Sequence, residues 1–362
     1  MRITIVDEIA NVAFHLSKGL SSKGHHVTAV LDIARKLPRL LFVHKKLPNV
    51  DVKWIKPLPI KPRAFGLALP MIRAIIKSRP HVINVQYLWS QLFISWFAAK
   101  LLGVPIIGTG HGWEVLDVPK SRIRGRIQRW FLNRLDRIIV TAEYYKEHLP
   151  VPKEKMVYIP RMIDTDMFRP GIPCDDIIEK YGNHIVTFIA RLYPIKTPYK
   201  TLDAFRKALD VVPDAHLLIL GVGPEYEGMV KHVKELGMED HVHFLGEVPN
   251  TEIPRYLNAS KAEVRGFNPE TPELGISHLE ALACGTPVLT YTDYKDMGGV
   301  IVALEVDDIA KHLIRILTDK EFHDELARQG REYVMKNFSI EAATQKTLEI
   351  FYEELKKRKS KK

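Results

Sequence analysis

Cysteine is nearly absent from this sequence, and so is any long uninterrupted apolar run. The two cysteines, Cys174 and Cys284, are too few for a disulfide framework or a cysteine-built zinc site. The most apolar stretch, 88–103, contains polar residues, and its 16 residues fall short of the roughly 20 that a membrane-spanning helix needs. Asp7 and Glu8 interrupt the apolar start of the chain, where a signal peptide would be apolar. We therefore expect a cytoplasmic protein without a transmembrane helix.

Negative charge is scarce in the first half of the chain. Residues 1–170 hold 28 Lys and Arg against 12 Asp and Glu, whereas residues 171–362 hold 25 against 31. The formal net charge of +10 therefore comes from the first half, and this asymmetry suggests two domains with different functions. A basic domain favours an anionic partner such as a membrane surface or a phosphorylated acceptor. Nucleic acid is the least favoured partner, because the sequence contains no nucleic-acid-binding motif.

Short β-rich runs alternate with helical patterns in both halves of the chain. This alternation predicts parallel βαβ units, so each half is expected to form a doubly wound, Rossmann-like sheet. The proline-rich residues 160–182 lack a strand pattern and mark the boundary between the two halves. The predicted organisation is an N-terminal domain at 1–165, a linker at 166–182, a C-terminal domain at 183–340, and a helix with a basic tail at 341–362 that packs back toward the first domain.

Candidate ligand-binding residues follow several predicted strands, at the strand ends where such sheets bind ligands. Arg191 and Lys196 share one loop and can converge on an anion such as a diphosphate, although two solvated cations would give the same pattern. Gly221 and Gly223 would let backbone amides approach an anion, although a plain tight turn also explains them. His111 stands between two glycines, where it can either touch a substrate or bond to the loop backbone.

The stretch "PETPELGISHLEALACGTPV", residues 269–288, combines an acidic loop with a short apolar helix. Gly275, Ile276 and Ser277 would present free amides at the start of this helix, which suits phosphate. Glu280 lies one turn further on, and its carboxylate suits a pair of sugar hydroxyls. Together with the two loop cations, this stretch predicts a site for a nucleoside diphosphate.

Several of these motifs, in this order, resemble the retaining glycosyltransferases of family 4, which have the GT-B fold. The similar stretches are "SSKGHHVTAVL", "GTGHG", "VYIPRMIDTDMF", "ARLYPIK", "LLILGVGPE", "HVHFLGEVP" and "ELGISHLEALACGTPV". The resemblance implies an α/β protein with two Rossmann-like domains facing a central cleft. It also implies transfer of a sugar from a UDP- or GDP-linked donor to a glycan or lipid acceptor, with retention of anomeric configuration and without a cofactor or metal.

The resemblance further implies how the donor is bound. Arg191 and Lys196 would hold its diphosphate, and the backbone around 274–277 would meet the phosphate and the donor sugar. Glu280 would bind its ribose, and Gly221 and Gly223 would also belong to the nucleotide-binding residues. Two residues would flank the nucleotide base: Glu247 and Val248.

The resemblance also implies three catalytic residues: Glu280, which would bind the ribose, and two residues that act at the transferred sugar. His111 would lie near that sugar and stabilise the charge that develops on its ring. The E-x7-E motif of the family is altered here, because Pro272 stands eight residues before Glu280. We favour Glu273 as the displaced first glutamate, with Glu270 as the alternative.

Other interpretations of the sequence stay open. The altered motif is compatible with an inactive relative, and the two-domain plan also suits a nucleotide-sugar epimerase or a sugar phosphorylase. The triplet "DTD" at 164–166 is short enough to arise by chance and is not interpreted as a metal site. The basic first domain is either a solvated surface or a peripheral contact with anionic membrane. In the membrane interpretation, apolar side chains interleave with the cations: Trp54, Phe65, Leu67, Met71 and Ile72.

Overall fold

The structure is a computed structural model that describes most of the chain. The described residues are 1–7, 11–32, 46–60, 63–88, 90–116, 122–266, 275–291 and 297–360. The chain divides into two compact units: Met1–Met162 with Ile340–Lys362, and Ile163–Ser339. Each unit is built on one parallel sheet, so the predicted α/β fold with two Rossmann-like domains is confirmed.

The first unit contains a seven-stranded sheet in which all neighbouring strands run parallel. Its strands are β1 (Arg2–Asp7), β2 (His26–Asp32), β3 (Val50–Ile55), β4 (Val82–Gln86), β5 (Ile106–Gly110), β6 (Arg137–Val140) and β7 (Met156–Tyr158). Their order across the sheet is β3-β2-β1-β4-β5-β6-β7. The central strands read as almost continuous apolar runs because helices cover both faces of a parallel sheet.

Apart from the last helix of the chain, the helices described in the first unit lie between its strands. They are α1 (Asn11–Ser22), α2 (Arg63–Lys77), α3 (Ser90–Leu102), the four-residue α4 (Trp113–Leu116) and α5 (Arg122–Leu132). The last helix of the chain belongs to the same unit and packs against α1. Phe351 of that helix is fully buried, and Glu354 lies 2.7 Å from Arg137 Nε at the start of β6.

The second unit contains a six-stranded sheet, and its neighbouring strands are again all parallel. Its strands are β8 (Ile185–Ile189), β9 (His216–Leu220), β10 (Val242–Gly246), β11 (Ala262–Val264), β12 (Val288–Thr290) and β13 (Val300–Val302). Their order is β10-β9-β8-β11-β12-β13. The strand order reverses between β8 and β11, and ligands of such sheets bind at this kind of switch point.

The helices of the second unit cover both faces of its sheet. They are α6 (Asp175–Tyr181), α7 (Pro198–Leu209), α8 (Tyr226–Glu235), α9 (Ile253–Ala259), α10 (Ile276–Cys284), α11 (Val306–Thr318) and α12 (Lys320–Asn337), followed in the first unit by α13 (Ile340–Lys359). Helix α6 lies inside the segment that the sequence predicted to be a linker. It is helical because Ile177 and Tyr181 bury their side chains in the core of the second unit. Among the described helices, none is both long and apolar enough to span a bilayer.

Candidate donor-binding site

Four loops of the second unit begin where neighbouring strands end. Arg191 follows β8, Gly221 follows β9, Glu247 follows β10 and Arg265 follows β11. Because these strands are parallel and adjacent, all four loops lie along one edge of the sheet. Most of the residues predicted to bind a donor therefore share one edge.

The loop after β8, residues 190–197, carries the two predicted cations, and we call it the cation loop. Arg191 is exposed, and its Cζ lies 5.4 Å from the ring centre of Tyr193. Lys196 is half-buried in a short 3-10 helix, Pro194–Lys196. This helix ends at Thr197, whose φ of 45° lies in the left-handed region that few residues other than glycine adopt. The surrounding structure must therefore hold this turn in place.

Tyr291, which the sequence analysis missed, holds that turn. Its hydroxyl donates a 2.7 Å hydrogen bond to the carbonyl of Thr197 and lies 2.9 Å from the Thr201 hydroxyl. Gly266 makes room for the ring, because a Cβ there would lie 1.8 Å from Tyr291 Cε2. A tyrosine and a glycine on separate loops thus fix the position of the cation loop.

The helix that carries Glu280 begins where the sequence predicted. Gly275 is its N-cap, and Gly285 ends it with a φ of 80°. Ser277 Oγ donates a 3.1 Å hydrogen bond to the carbonyl of Ile189, the last residue of β8. The amino end of α10 is therefore fastened to the strand that precedes the cation loop.

Glu280 has a perturbed environment. Burial raises the pKa of its carboxyl to about 7, Arg265 opposes this rise, and Glu263 adds to it. Among the described residues, no hydrogen bond or ion pair involves the Glu280 carboxylate. A half-buried carboxylate without such a partner is suited to accept hydrogen bonds from a ligand.

A second group of charged side chains, also missed by the sequence analysis, lies below the start of α10. Glu263, Arg265 and His278 are 0%, 3% and 0% exposed. Glu263 Oε1 lies 3.4 Å from Arg265 Nε, and Glu263 Oε2 lies 3.1 Å from His278 Nε2. Arg265 also donates a 2.8 Å hydrogen bond from Nη2 to Ser277 Oγ. We call these three residues the buried cluster.

The pKa values of the buried cluster reflect both burial and mutual contact. Burial would raise the pKa of Glu263, but His278 and Arg265 outweigh it and hold that pKa below its usual value. Burial lowers the pKa of His278 despite the Glu263 carboxylate, and the positive charges of Arg265 and Lys196 lower it further. The carboxylate of Glu263 is therefore held in its anionic form by its contacts with Arg265 and His278.

Backbone packing requires glycine at both positions after β9, whether or not these residues contact a ligand. A Cβ at Gly221 would lie 1.8 Å from the carbonyl oxygen of Ala190, and one at Gly223 would lie 2.3 Å from that of Leu192. Leu192 N also donates to the carbonyl of Val222 at 3.0 Å. These glycines let the turn pack directly against the cation loop.

The remaining donor-site predictions fall in two groups. Glu247 is exposed after β10, and Val248 beside it is half-buried against the core of the second unit. Pro272, Glu273 and Glu270 lie outside the described residues, as do the other residues of 267–274.

His111, the predicted catalytic histidine, lies in the first unit directly after β5. Its Nε2 donates a 2.8 Å hydrogen bond to Gln86 Oε1, and its ring centre lies 4.7 Å from that of Tyr87. Arg161 Nη2 donates to its backbone carbonyl at 3.0 Å. Burial lowers the pKa of His111 to about 3, with a further contribution from the charge of Arg161.

A chain of buried amides fixes the hydrogen bond to His111. Gln86 donates from Nε2 to Asn84 Oδ1. Asn84 in turn donates from Nδ2 to the Ile107 carbonyl at 3.2 Å and to Thr109 Oγ1 at 3.1 Å. With its amide nitrogen committed in this way, Gln86 presents an oxygen to the imidazole. His111 is therefore held as the neutral tautomer that is protonated on Nε2.

The apolar residues that the sequence analysis assigned to a basic membrane-facing surface do not form one surface. Leu67 and Met71 are core residues, 4% and 0% exposed, because they lie on the face of α2 that packs against the sheet. Phe65 is exposed at 66%. A separate exposed patch lies on α3 and α5. Arg134, two residues after the end of α5, has its Cζ 3.4 Å from the ring centre of Trp130. The apolar members of the patch are Phe97, Leu101, Ile127 and Trp130.

Possible metal ligands do not cluster in the part of the chain that the structure describes, where no three His, Cys, Asp or Glu residues could hold an ion together. In the "DTD" triplet, Asp164 is buried, and its Oδ1 accepts from the backbone N–H groups of Asp166 and Met167. Asp164 thus stabilises a turn of the backbone.

Several known proteins are similar to this chain in sequence or in fold. N-acetyl-alpha-D-glucosaminyl L-malate synthase of Bacillus anthracis is 24% identical over 95% of this chain and 93% of its own. A GDP-mannose-dependent alpha-(1-6)-phosphatidylinositol monomannoside mannosyltransferase of Mycolicibacterium smegmatis is 29% identical over 63% of this chain and 64% of its own. The solved structure of Anabaena HepE with UDP and glucose has a TM-score of 0.73 at 18% identity, covering 98% of this chain and 100% of that one.

Two family models match the sequence. The model described as Glycosyltransferase Family 4 matches residues 9–167, and the model described as Glycosyl transferases group 1 matches residues 176–333. Each model matches one of the two parallel-sheet units, and together they identify the chain as a glycosyltransferase family 4-like protein.

Proposed function

We propose that this protein transfers a sugar from a nucleotide-diphosphate-sugar donor to an acceptor hydroxyl. The observation that carries the proposal is the grouping at one edge of the second sheet. There, the cation loop, the amino end of α10 and the carboxylate of Glu280 lie together. A donor nucleotide contains the matching groups, because its diphosphate needs positive charge and its ribose presents paired hydroxyls. The names of the similar proteins describe the same class of reaction.

Two kinds of protein group bind the diphosphate in this proposal. Arg191 and Lys196 supply full positive charges, and the first amides of α10, at 275–277, supply oriented N–H groups. Their combined charge stabilises the leaving diphosphate without a divalent metal. Activity that persists in excess EDTA would support this point, and activity that requires added Mg²⁺ or Mn²⁺ would contradict it.

Glu280 binds the ribose through its carboxylate oxygens. Four further residues are proposed to line the nucleotide from the loops after β9 and β10: Gly221, Gly223, Glu247 and Val248. The expected donor is UDP- or GDP-linked, and Glu273 is proposed to contact the donor sugar.

His111 acts at the transferred sugar, and its low pKa suits that role. Breaking the bond between the anomeric carbon and the diphosphate leaves positive charge on the sugar ring. A protonated imidazole would repel that charge, whereas the neutral imidazole of His111 does not. The acceptor oxygen is proposed to bond to the same face of the sugar that the diphosphate leaves, while the acceptor's hydroxyl proton passes to the leaving diphosphate, so the configuration is retained.

The acceptor is proposed to be a glycan or a lipid, and the first domain is proposed to touch anionic membrane. The exposed patch on α3 and α5 combines aromatic rings with arginines, a combination suited to a lipid interface. Replacing Trp130 and Phe97 with Ser should reduce binding to phosphatidylglycerol vesicles. Unchanged vesicle binding in this variant would exclude the patch as the contact.

A transfer assay tests the function directly. Purified protein is incubated with UDP- or GDP-sugars and a mixture of glycan and lipid acceptors, and the new glycosidic bond is examined by NMR. A product with the donor's anomeric configuration supports the proposal. Conversion of the donor sugar without any acceptor would instead show an epimerase. Binding of the donor without turnover under any condition would show an inactive relative.

A further inference from the structure

The buried cluster has no role in the function proposed above, yet it occupies an interior position between the sheet and α10. Glu263 and His278 are completely buried, and Arg265 is 3% exposed. Apolar side chains of similar size would pack there at least as well, because the cost of desolvating a buried ion pair often exceeds the attraction between its charges. Stability alone therefore does not explain why charged residues occupy this position.

Arg265 lies against the first residues of α10. Its Nη2 donates to Ser277 Oγ at 2.8 Å, and a Cβ on Gly275 would lie 2.2 Å from the same nitrogen. With the Ser277 oxygen accepting from Arg265, the Ser277 proton is directed to the carbonyl of Ile189. Arg265 thereby orients the residue that fastens α10 to β8.

Glu263 holds the two other members of the cluster. One carboxylate oxygen faces Arg265, and the other faces His278, which follows Ser277 on α10. Glu263 lies within β11, in the centre of the sheet, so its position is set by strand pairing with β8 and β12. The cluster therefore transmits the position of the central strand to the amino end of α10.

We propose that Glu263, Arg265 and His278 are positioning residues for the donor diphosphate. They hold Ser277 and the amino end of α10 in the orientation in which its amides meet the phosphate oxygens, and they act through α10 rather than by touching the donor. This inference rests on the proposed donor site at α10. It assigns to the cluster a role in diphosphate affinity that is distinct from folding.

Neutral substitutions separate that role from stability. Arg265→Gln and Glu263→Gln each leave a buried charge without its partner, whereas the double variant removes both charges of the pair. We expect the double variant to fold, with a melting temperature near that of the wild type, and to bind UDP or GDP at least 10-fold more weakly. Affinity for the corresponding nucleoside should change less than 2-fold.

Arg328→Gln is the matched control, because Arg328 also pairs with glutamates of the same unit but lies on α12. The Arg328→Gln variant should bind UDP or GDP with wild-type affinity.

A double-mutant cycle provides a second test that does not depend on the double neutral variant. Arg265→Lys keeps the charge beside Glu263 but loses the planar fork that reaches Ser277. If Arg265 acts through Ser277, adding Arg265→Lys to Ser277→Ala should weaken diphosphate binding no further than Ser277→Ala alone. Fully additive losses would overturn the inference, and so would wild-type diphosphate affinity in a folded Arg265→Lys variant.

The outcomes also separate this inference from the donor site on which it rests. If Lys196→Ala and Ser277→Ala both leave nucleotide affinity unchanged, the donor-site proposal fails, and the role of the cluster fails with it. If those two variants bind weakly while Arg265→Lys and the double neutral variant bind like the wild type, only the positioning role fails.

Discussion

The hydroxyl of Tyr291 donates a 2.7 Å hydrogen bond to the carbonyl of Thr197, the residue at which the cation loop turns. Thr197 has a φ of 45°, so its backbone is costly to hold in this conformation. The ring that supplies the bond is buried against Gly266, which leaves it little freedom to move. The position of Lys196, one residue before Thr197, thus depends on a tyrosine from a different loop.

Tyr291→Phe should therefore weaken nucleotide binding without changing any proposed contact to the nucleotide. Loss of one hydrogen bond is worth about 1 kcal/mol, or ~5-fold in affinity, because the ligand must then order the loop. Calorimetric titration with UDP or GDP measures this change. Tyr352→Phe, at an exposed tyrosine of the first unit, is the control and should leave affinity unchanged. Equal affinity in the wild type and Tyr291→Phe would refute the link between this hydrogen bond and the loop.

Lys196→Ala should remove a charge-assisted contact to the diphosphate. Such contacts contribute about 1.5–3 kcal/mol, so affinity for UDP or GDP should fall by roughly 10- to 100-fold. Affinity for the nucleoside should change little, because it lacks phosphate. Lys231→Ala is a suitable control, since Lys231 lies on the surface of the same unit with 79% of its side chain exposed. A similar loss in both variants would indicate a nonspecific charge effect.

Glu280→Gln should stabilise the protein at high pH while weakening donor binding. Burial raises the pKa of Glu280 from 4.5 to about 7, so the folded state takes up a proton that the unfolded state releases in that interval. The favourable contribution of this group is complete below about pH 4.5 and is lost as the pH rises through about 7. At pH 8 the Glu280 carboxylate of the wild type is ionised, and its burial disfavours that charge. The glutamine variant should therefore be about 1–3 kcal/mol more stable.

Denaturant titrations of the wild type and Glu280→Gln at pH 5 and pH 8 measure how the free energy of unfolding of each protein depends on pH. The stability difference between Glu280→Gln and the wild type should be small at pH 5 and appear at pH 8. A difference of the same size at both values would show that the effect comes from packing rather than ionisation. Donor affinity of the wild type should fall as the pH drops below about 7, because protonated Glu280 accepts fewer hydrogen bonds.

His111 should remain neutral throughout the pH range in which the protein works. Its pKa of about 3 lies below the value of roughly 6.5 for a histidine in an unfolded chain. Its contribution to stability is therefore complete above about pH 6.5 and is lost as the pH falls toward 3. The imidazole C–H chemical shifts, assigned by comparison with His111→Asn, should be constant between pH 5 and pH 8. A titration midpoint near 6.5 would disprove the neutral state.

Gln86→Leu should lower turnover and leave nucleotide affinity unchanged. The substitution removes the oxygen that fixes the Nε2 proton of His111, while the proposed nucleotide contacts all lie in the second unit. We expect kcat to fall by about 10-fold, comparable to the loss of one oriented hydrogen bond, with an unchanged dissociation constant for UDP or GDP. Wild-type kcat in a folded Gln86→Leu protein would show that the amide chain serves only the core.

Much of the fold was predictable from the sequence because its parallel strands are nearly continuous apolar runs separated by amphipathic helices. The position of α10 was also predictable, since Gly275 and Gly285 bound its apolar residues. Helix α6 was missed because Pro170 and Pro173 stand just before it, whereas burial of Ile177 and Tyr181 stabilises it in the fold.

The candidate site was only partly predictable, for a physical reason. Arg191, Lys196 and Glu280 stand in loops and a helix whose place follows from strand order. Tyr291 and Arg265 act through contacts between residues that are far apart in sequence, and no local pattern distinguishes them from packing residues. Glu263 is harder still, because a carboxylate inside a central strand contradicts the expected apolar run until its partners are known.

The most direct test of the account is calorimetric titration of the metal-free protein with UDP and GDP, repeated on Lys196→Ala and Glu280→Ala. We expect the wild type to bind one of the two nucleotides in EDTA, and each variant to stay folded but to bind it at least 10-fold more weakly. Tight binding that survives both substitutions would contradict the donor site placed at this edge of the second sheet.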